Sequence, residues 1–282
     1  MNPFLTGAKY DEIYSFLSRA FCRRGADLAV KKTDEFLNIV GNKPVIDKNE
    51  FEFVVFWDKD TYLASAFERA GVKVFNSSEA IRICDNKAET YIALSRAGVN
   101  IPETVIAPKT FLNVGYNSFG FLAKAGERLG YPMIIKEFYG SFGKQVYLAK
   151  DFSEASKIAS SLGGREIVLQ KYVSESAGRD VRVNVVGGKV VASIKRVNDR
   201  DFRSNLSNGG KAYATNITKE QESAAISALK AVKADWGGVD MLLTDGEPIV
   251  IEVNSNMHFL STFVTTGVDV SESIAEHVLR SV

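Results

Sequence analysis

The sequence predicts a mixed α/β (α+β) fold, in which an α/β part is followed by antiparallel strands. Near the start, β-forming residues at 51–57, a helical pattern at 60–70 and a short strand at 72–75 predict a β-α-β unit. In the last third, apolar and polar residues alternate on both sides of Gly187-Gly188, which is typical of a β-hairpin. The 282 residues are enough for about two domains of ordinary size.

Helices are predicted on either side of the first strands. Apolar residues recur at helical spacing over residues 10–24, and Gly25 ends that pattern. The helix between the strands has Asp60 as its predicted N-cap, and a further helix is predicted to begin at Asp85. These elements predict an N-terminal α/β domain over residues 1–85.

The middle of the chain, residues 86–172, predicts a smaller α/β domain. A glycine-containing turn at 140–144 joins two of its strands, and a lobe of this kind can move as a small lid. Its predicted elements, in order, are a strand at 104–111, a helix at 119–129, strands at 132–138 and 146–149, a helix after Asp151 and a strand at 166–173.

Residues 173–282 predict a C-terminal domain built on an antiparallel sheet. A two-residue loop in the hairpin at Gly187-Gly188 would place Asp180 opposite Lys195. The remaining predicted elements are a helix that begins with the capping box of Thr218 and Gln221, a hairpin over residues 239–254 and a helix from about Ser271.

The composition excludes several classes of function. With 35 Lys plus Arg against 34 Asp plus Glu, the net charge of +1 supplies no field for nucleic acid or an anionic membrane. The two cysteines, Cys22 and Cys84, exclude a disulfide framework, and the two histidines and the missing G-x-S-x-G motif disfavour a Ser-His-Asp triad. No signal-peptide pattern or run of about 18 apolar residues is present, so we expect a cytoplasmic protein.

The hairpin at 239–254 carries the most informative polar residues. If a three-residue loop, 245–247, joins its strands, Asp240 and Glu252 lie opposite each other and share a face with Asn254. The two carboxylates would lie about 5 Å apart between Cβ atoms and would repel unless a cation lay between them. Such oxygen ligands suit Mg²⁺. The alternative is that these residues form a solvated outer face.

The glycine turn between two central strands predicts a phosphate site. Gly140, Ser141 and Gly143 would let backbone N–H groups approach an anion, and Lys136 on the preceding strand could reach a phosphate. The spacing of a Walker A loop is absent, which disfavours a P-loop NTPase. A plain hairpin connection is the alternative for the turn, and an exposed helix lysine is the alternative for Lys87.

Positive and polar side chains concentrate between the two hairpins of the last third. Lys195 and Arg196 are followed by a polar loop at 201–205 that contains Arg203. Positive groups near a metal would neutralise charge that develops on a transferred phosphoryl group or an acyl phosphate. A solvated loop is the alternative.

Taken in order, these segments resemble the ATP-grasp superfamily, and specifically the RimK-type carboxylate–amine ligases. The resemblance extends from about residue 86 to residue 269, and D-F-R-S-N at 201–205 followed by Gly209-Gly210 is specific to this branch. The other matching segments are Asn86-Lys87, Lys136 with its glycine turn, the hinge at 170–173, G-R-D-V-R at 178–182, Lys195-Arg196, G-V-D at 238–240 and I-E-V-N at 251–254.

The resemblance implies an ATP-grasp fold with an N-terminal pre-ATP-grasp domain, a small mobile lid and a C-terminal antiparallel-sheet domain. ATP would lie between the last two parts. The implied nucleotide contacts are Lys87 and Lys136 on the phosphates, Lys171 and Tyr172 at the adenine, Asp180 on the ribose, and Arg196, Arg203, Ser204 and Asn205 around the γ-phosphate and acyl phosphate. The implied ligands of two Mg²⁺ ions, for which Mn²⁺ can substitute, are Asp240, Glu252 and Asn254.

Within the family, the segments at 254–259 and 265–269 look more like the LysX-type ligases of lysine and arginine biosynthesis than the ribosomal-protein glutamate ligases. His258 stands where that branch usually has Glu, Gln145 stands where RimK-type loops often have a third glycine, and Lys171 replaces an acidic hinge residue. These differences leave the acceptor open. His258 is either a substrate contact or a packed side chain.

The resemblance therefore implies an ATP-dependent ligase that forms an amide or peptide bond through an acyl phosphate. The expected partners are an amino acid, with glutamate as the family default, and a peptide, carrier-protein or small-molecule acceptor, with neither nucleic acid nor membrane and with a homo-oligomer possible. Two other functions stay open, a kinase on the same fold and a binding module without turnover. The presence of Lys136, Arg203, Asp240, Glu252 and Asn254 argues against the second.

Overall fold

The N-terminal part of the chain contains a parallel sheet. The structure is a computed structural model that describes residues 4–6 and 11–282. The sheet has the order β2-β1-β3-β4, and the elements of this part are β1 (Phe4–Thr6), α1 (Asp11–Cys22), β2 (Ala29–Lys31), β3 (Phe53–Phe56), α2 (Thr61–Arg69), β4 (Lys73–Phe75) and α3 (Ser78–Asp85). The predicted first residue of the first helix, Tyr10, lies outside the described residues.

The central part contains a four-stranded antiparallel sheet with the order β5-β8-β6-β7. Its elements are α4 (Lys87–Arg96), β5 (Thr104–Ile106), α5 (Gly120–Leu129), β6 (Met133–Glu137), β7 (Val146–Ala149), α6 (Phe152–Ser161) and β8 (Ile167–Lys171). The glycine turn lies between β6 and β7, as predicted.

The last part contains a five-stranded antiparallel sheet with the order β11-β10-β9-β12-β13. Its elements are β9 (Arg179–Val186), β10 (Lys189–Val197), β11 (Lys211–Ala214), α7 (Lys219–Ala231), β12 (Trp236–Leu242), β13 (Ile249–Asn254), α8 (Leu260–Thr266) and α9 (Val270–Ser281). The mixed α/β fold with antiparallel sheets is therefore confirmed.

Several predicted helix starts are confirmed. The Asp60 side chain caps α2 by accepting the Leu63 N–H at 3.0 Å, and α7 begins with its predicted capping box. The helix predicted from Asp85 begins instead at Lys87, because the Asn86 side chain accepts two N–H groups of α4, and α3, which ends at Asp85, was not predicted. The prediction also missed β1, β2, β11 and α8, which are all short.

A β-bulge changes the predicted register of the first hairpin. The chain turns at Gly187-Gly188 as predicted, but the register shifts between Val190 and Ala192. The predicted pairing of Asp180 with Lys195 is therefore wrong, and Asp180 lies opposite Arg196. A bulge inserts one extra residue into one strand, so every later position of β10 moves by one.

A second bulge sets the register of the β12–β13 hairpin. Asp240 lies opposite Glu252, as predicted. The predicted three-residue loop at 245–247 is wrong, because β12 ends at Leu242 and β13 begins at Ile249. A register shift next to Asp240 supplies the offset that the loop was expected to supply.

The N-terminal and last parts share one hydrophobic core. The rings of Trp57, next to β3, and Trp236, on β12, stack with their centroids 5.8 Å apart, and Phe259 packs edge-on against Trp57. Helices α1 and α9 pack together in the same core. The central sheet packs instead against α5 and α6 around its own buried residues, such as Leu122 and Leu169.

The three sheets fall within the intervals 1–85, 86–172 and 173–282, and the division of the chain into three domains at these boundaries stays a prediction. None of the helices in the described ranges is both long enough and apolar enough to cross a membrane.

Candidate active site

A cleft lies between the central sheet and the last sheet. Asn254 lies outside its lining, on β13 opposite Gly238. All the other predicted site residues line the cleft: Lys87, Lys136, Gly140, Ser141, Gly143, Lys171, Tyr172, Asp180, Arg196, Arg203, Ser204, Asn205, Asp240 and Glu252. The fold thus brings these residues together, and the individual roles assigned to them stay predictions.

Two buried lysines line the cleft. Lys87 begins α4 and donates from Nζ to the Gly140 carbonyl oxygen at 3.2 Å, and Lys136 donates to Tyr91 Oη and Gln170 Oε1, both at 2.8 Å. Burial lowers the pKa of Lys87, and this burial contradicts the alternative of an exposed helix lysine. Neither lysine forms an ion pair with a carboxylate of the described residues. Because a buried charge without a counter-ion is costly, the two ammonium groups suit an anion such as a phosphate.

The glycine turn packs against the polar loop that follows β10. Gly143 has a φ of 70°, and a Cβ at this position would lie 2.5 Å from Asn205 Oδ1, so the turn requires glycine here. Arg203 donates from Nη1 to the Gly143 carbonyl oxygen at 2.8 Å. The Ser141 N–H donates to Gln145 Oε1 at 3.3 Å, so the Gln145 side chain folds over the turn. The polar loop is therefore not the solvated loop of the alternative interpretation.

The hinge after β8 contributes a flat, partly apolar wall. Ile134 on β6 lines the cleft and supplies an apolar surface there. It lies opposite Gln170, the residue before Lys171. Tyr172 packs edge-on against Phe202, with ring centroids 6.5 Å apart. Apolar walls with a few polar groups are typical of sites that bind small molecules and cofactors.

Four charged side chains alternate across β10, β9 and β12, of which Arg196, Asp180 and Asp240 are buried and Arg182 is partly buried. Arg196 donates from Nε and Nη2 to the two Asp180 oxygens at 2.7 and 2.5 Å, and its Nη2 lies 2.9 Å from Asp240 Oδ2. Arg182 donates from Nε and Nη2 to the two Asp240 oxygens, each at 2.7 Å. The Ser204 hydroxyl also donates to Asp180. These two carboxylates are thus fully paired by guanidinium groups.

The pairing stabilises the charged forms of two of these side chains. Burial alone would raise the pKa of Asp240, but Arg182 and Arg196 outweigh burial and hold that pKa below its usual value. Burial alone would lower the pKa of Arg196, whereas Asp240 and Asp180 raise it. Asp240 and Arg196 therefore both carry their charge at neutral pH.

Glu252 and Asn254 retain bonding capacity beside Asp240. The half-buried Glu252 carboxylate lies opposite Asp240 and forms no hydrogen bond or ion pair with any described residue. Among the described residues, the Asn254 amide nitrogen is buried without a partner. Carboxylate oxygens are ligands that Mg²⁺ prefers, so the unpaired Glu252 carboxylate beside Asp240 fits the cation, whereas the unpartnered Asn254 atom is an N–H donor and does not itself indicate a metal. Within the described ranges there is no group of three His, Cys, Asp or Glu residues that could hold a metal.

Residues 84–278 of the chain match the family model described as the RimK-like ATP-grasp domain. The chain belongs to the RimK-like ATP-grasp family. It is an ATP-grasp ligase, in a family that uses ATP and Mg²⁺.

Similar proteins agree with this assignment. The RimK-like chain is 36% identical to a probable alpha-L-glutamate ligase of Maridesulfovibrio salexigens over 218 residues, which cover 76% of this chain and 70% of that protein. It is 33% identical to N-acetylaspartylglutamate synthase A of Homo sapiens over 225 residues, which cover 79% and 56% of the two chains. The crystal structure of a RimK domain ATP-grasp protein from Sphaerobacter thermophilus has a TM-score of 0.74 at 19% identity, over 99% and 100% of the chains. The ATP-grasp fold is therefore confirmed.

His258 of the RimK-like chain lies just before α8 with an exposed side chain, which contradicts the interpretation as a packed side chain. Desolvation, and secondarily the nearby charge of Arg182, lowers the pKa of His258 and so favours the neutral ring. Its role as a substrate contact stays a prediction.

Arg182 is a site residue to which the sequence analysis assigned no role. The alternation along β9 already placed it on one face with Asp180 and Asn184. Its partner Asp240, however, lies 58 residues later on β12, a strand that pairs with β9 without following it in sequence. No local pattern identifies such a pair, so only the strand order reveals it.

Proposed function

We propose that this chain joins an amino acid such as glutamate to an amine, through an acyl phosphate made at the expense of ATP. The observation that carries the proposal is a single cleft that holds two buried lysines, neither of which forms an ion pair with a described residue, together with the opposed pair Asp240 and Glu252. Cations that hold a triphosphate, and carboxylates that hold its metal, are the groups that phosphoryl transfer requires.

The proposed roles follow the resemblance and the contacts of each side chain. Lys87, Lys136 and the N–H groups of the glycine turn bind the phosphates, and Lys171 and Tyr172 border the adenine. Asp180 is proposed for the ribose, although its oxygens already hold Arg196 and Ser204. Arg196, Arg203, Ser204 and Asn205 surround the reacting phosphate, while Asp240, Glu252 and Asn254 hold two Mg²⁺ ions or the Mn²⁺ ions that replace them.

The chemistry needs no protein nucleophile. An oxygen of the substrate carboxylate attacks the γ-phosphorus, the bond to the β,γ-bridging oxygen breaks, and ADP leaves. The amine nitrogen then attacks the acyl carbonyl carbon, loses a proton and displaces phosphate, which leaves an amide. Bound Mg²⁺ neutralises phosphate charge. Arg196 and Arg203 supply fixed positive charge, and the cleft holds the reactants in position and excludes the water that would hydrolyse the acyl phosphate.

The substrate class is proposed from the names of relatives. One is named a probable alpha-L-glutamate ligase and another N-acetylaspartylglutamate synthase A. The ATP-grasp ligase PsnB, at 16% identity and a TM-score of 0.71, has been solved with a precursor peptide. We therefore propose glutamate or a similar amino acid as one substrate, and a peptide, a carrier protein or a small molecule as the other.

Trapping the acyl phosphate tests this proposal. The protein is incubated with MgATP, hydroxylamine and a panel of amino acids and short peptides that includes L-glutamate. We expect ADP and a hydroxamate in equal amounts with at least one carboxylate. Glu252→Gln is expected to lower the rate at least about a hundredfold, since it removes one of the proposed metal ligands. Glu222→Gln, an exposed change on α7, is the matched control and leaves the rate unchanged.

Two outcomes would contradict the proposal. ADP release with a phosphorylated product, but without hydroxamate from any carboxylate, would indicate the kinase alternative. Unchanged ADP release by a folded Glu252→Gln protein would show that the metal assignment is wrong.

A further inference from the structure

The pair of Arg182 and Asp240 occupies the proposed metal site. Both Asp240 oxygens accept from Arg182 at 2.7 Å, and Oδ2 lies 2.9 Å from Arg196 Nη2 as well. An ionised carboxylate offers about four lone-pair positions, so three of them are in use. Two guanidinium groups also repel any cation that approaches the same carboxylate. While both arginines stay in place, Asp240 therefore has too few free lone pairs, and too much positive charge beside it, to act as a strong ligand of a divalent cation.

The two arginines are not held equally. Arg196 forms a bidentate pair with Asp180 in addition to its contact with Asp240, and its side chain is 4% exposed. Arg182 has Asp240 as its carboxylate partner among the described residues, and its side chain is 13% exposed. Arg182 is thus the guanidinium that can leave Asp240 at the lower cost.

The surroundings of Arg182 offer a place for the displaced group. Asn184 lies two residues further along the same face of β9, and its Oδ1 is buried without a hydrogen-bond partner in the described part of the chain. Gly238, opposite Asn184, has no side chain, and a Cβ there would lie 3.4 Å from Arg182 Nε. The absence of a side chain at Gly238 lets the Arg182 guanidinium lie close to β12, and the unpaired Asn184 oxygen is an acceptor on the same face of the sheet.

We propose that Arg182 is a counter-ion that Asp240 exchanges for the divalent cation, and that the released guanidinium then binds the carboxylate of a substrate. A buried guanidinium without an anion is costly, and a carboxylate satisfies it with two parallel hydrogen bonds. Arg182 would therefore make cation binding and carboxylate binding favour each other. This inference rests on the proposed function, because it takes Asp240 and Glu252 as metal ligands.

Titration with Mn²⁺ alone tests the exchange without catalysis. The electron paramagnetic resonance signal of free Mn²⁺ is followed with the full chain in the absence of nucleotide. Arg182→Gln is expected to bind Mn²⁺ at least about tenfold more tightly than the unsubstituted chain, because it removes a positive charge that lies next to the ligand oxygens. Arg182→Lys keeps the charge but loses the bidentate geometry, so its Mn²⁺ affinity is expected to lie between those of the unsubstituted chain and Arg182→Gln. It replaces Arg182→Gln in the test if that variant does not fold. Arg128→Gln, an exposed arginine on α5, is the matched control and leaves the affinity unchanged.

Calorimetric titration with L-glutamate tests the second half of the inference. In the unsubstituted chain, Mn²⁺ is expected to tighten glutamate binding about tenfold, and Arg182→Gln is expected to abolish this coupling. Mn²⁺ affinity that is unchanged or weaker in both folded Arg182 variants would overturn the exchange, as would glutamate coupling that survives Arg182→Gln. Glu252→Gln distinguishes a failure of the arginine exchange from a failure of the proposed function. If Glu252→Gln does not weaken Mn²⁺ binding, or if no variant binds Mn²⁺, the assignment of the metal site is wrong.

Discussion

The Lys87 side chain is buried although its ammonium group can carry a charge, and burial disfavours that charged form. Its side chain is 8% exposed and forms no ion pair in the described part of the chain, and burial lowers its pKa. A lysine whose folded pKa lies below its unfolded value destabilises the fold at lower pH, where both states are protonated. That cost disappears as pH rises from the folded pKa through the unfolded value. In the ligand-free protein, the charged Lys87 side chain therefore lowers stability, as is common for residues that serve a binding site, and a phosphate contact is the proposed reason for its burial.

Replacing Lys87 with methionine is expected to stabilise the ligand-free protein by on the order of 1 kcal/mol at pH 7. The gain is expected to shrink as the pH approaches 10.5, because the lysine of the unsubstituted chain then loses its proton. Urea denaturation at pH 7 and pH 10 measures both effects. Lys124→Met, an exposed change on α5, is the control, with little gain at either pH. A loss of stability at pH 7 would show that the ammonium group is well compensated in the folded chain.

The types of residue at the site could be predicted from the sequence better than their partners. Strand alternation together with an assumed three-residue loop predicts Asp240 opposite Glu252, and that pairing is confirmed although a bulge, and not the loop, supplies the offset. The contacts of Asp240 with Arg182 and Arg196 could not be predicted in the same way. They depend on the order β10-β9-β12, which brings together strands that are separated in sequence.

Among the secondary-structure elements, too, features that local residues mark can be predicted from the sequence and unmarked features cannot. Helix caps and the Gly187-Gly188 turn carry local chemistry, so the sequence predicts them well. The bulge between Val190 and Ala192 does not, since Val191 resembles its neighbours and nothing marks it as the extra residue. This single residue decides that Arg196, and not Lys195, faces Asp180.

The N-cap of helix α4 lies next to the site. The Asn86 side chain accepts from the Ala88 and Glu89 N–H groups at 3.0 and 3.2 Å, and it donates to Tyr139 Oη at 3.2 Å. Asn86→Ala is therefore expected to cost about 1 kcal/mol in urea denaturation and to weaken ADP binding in calorimetry, because Lys87 directly follows the cap.

An N-cap away from the cleft provides the control for Asn86→Ala. Asp151 accepts the Glu154 N–H at 2.8 Å at the start of α6, and neither residue lines the cleft. Asp151→Ala is expected to cost a similar free energy of unfolding and to leave ADP affinity unchanged. Equal ADP affinity in both variants would show that the Asn86 cap does not position Lys87.

On the scale of the whole molecule, the two ends of the chain are packed into one shared hydrophobic core. Asn76, in the N-terminal part, donates to the carbonyl oxygens of Trp236 and Ser255 at 3.1 and 3.2 Å. The Trp57–Trp236 stack lies in the same shared core. The core formed by α5, α6 and the central sheet has no residues in common with this core, whereas α4, Phe138 and Val168 of the central part pack with the last sheet in a further core. The sequence could not show this arrangement, because domain boundaries were inferred from the order of elements along the chain.

This arrangement predicts how the molecule unfolds. The chain has two tryptophans, so in Trp236→Phe the fluorescence reports Trp57 alone. A destabilising change in the last sheet, Val253→Ala, is expected to lower the urea midpoint of Trp57 fluorescence, because β12 belongs to both the last sheet and the shared core. Leu122→Ala, a change in the central core that is expected to cost about 2–5 kcal/mol, is expected to leave that midpoint in place. If Val253→Ala does not move it, the N-terminal part unfolds on its own. If Leu122→Ala moves it as far, all three sheets unfold together.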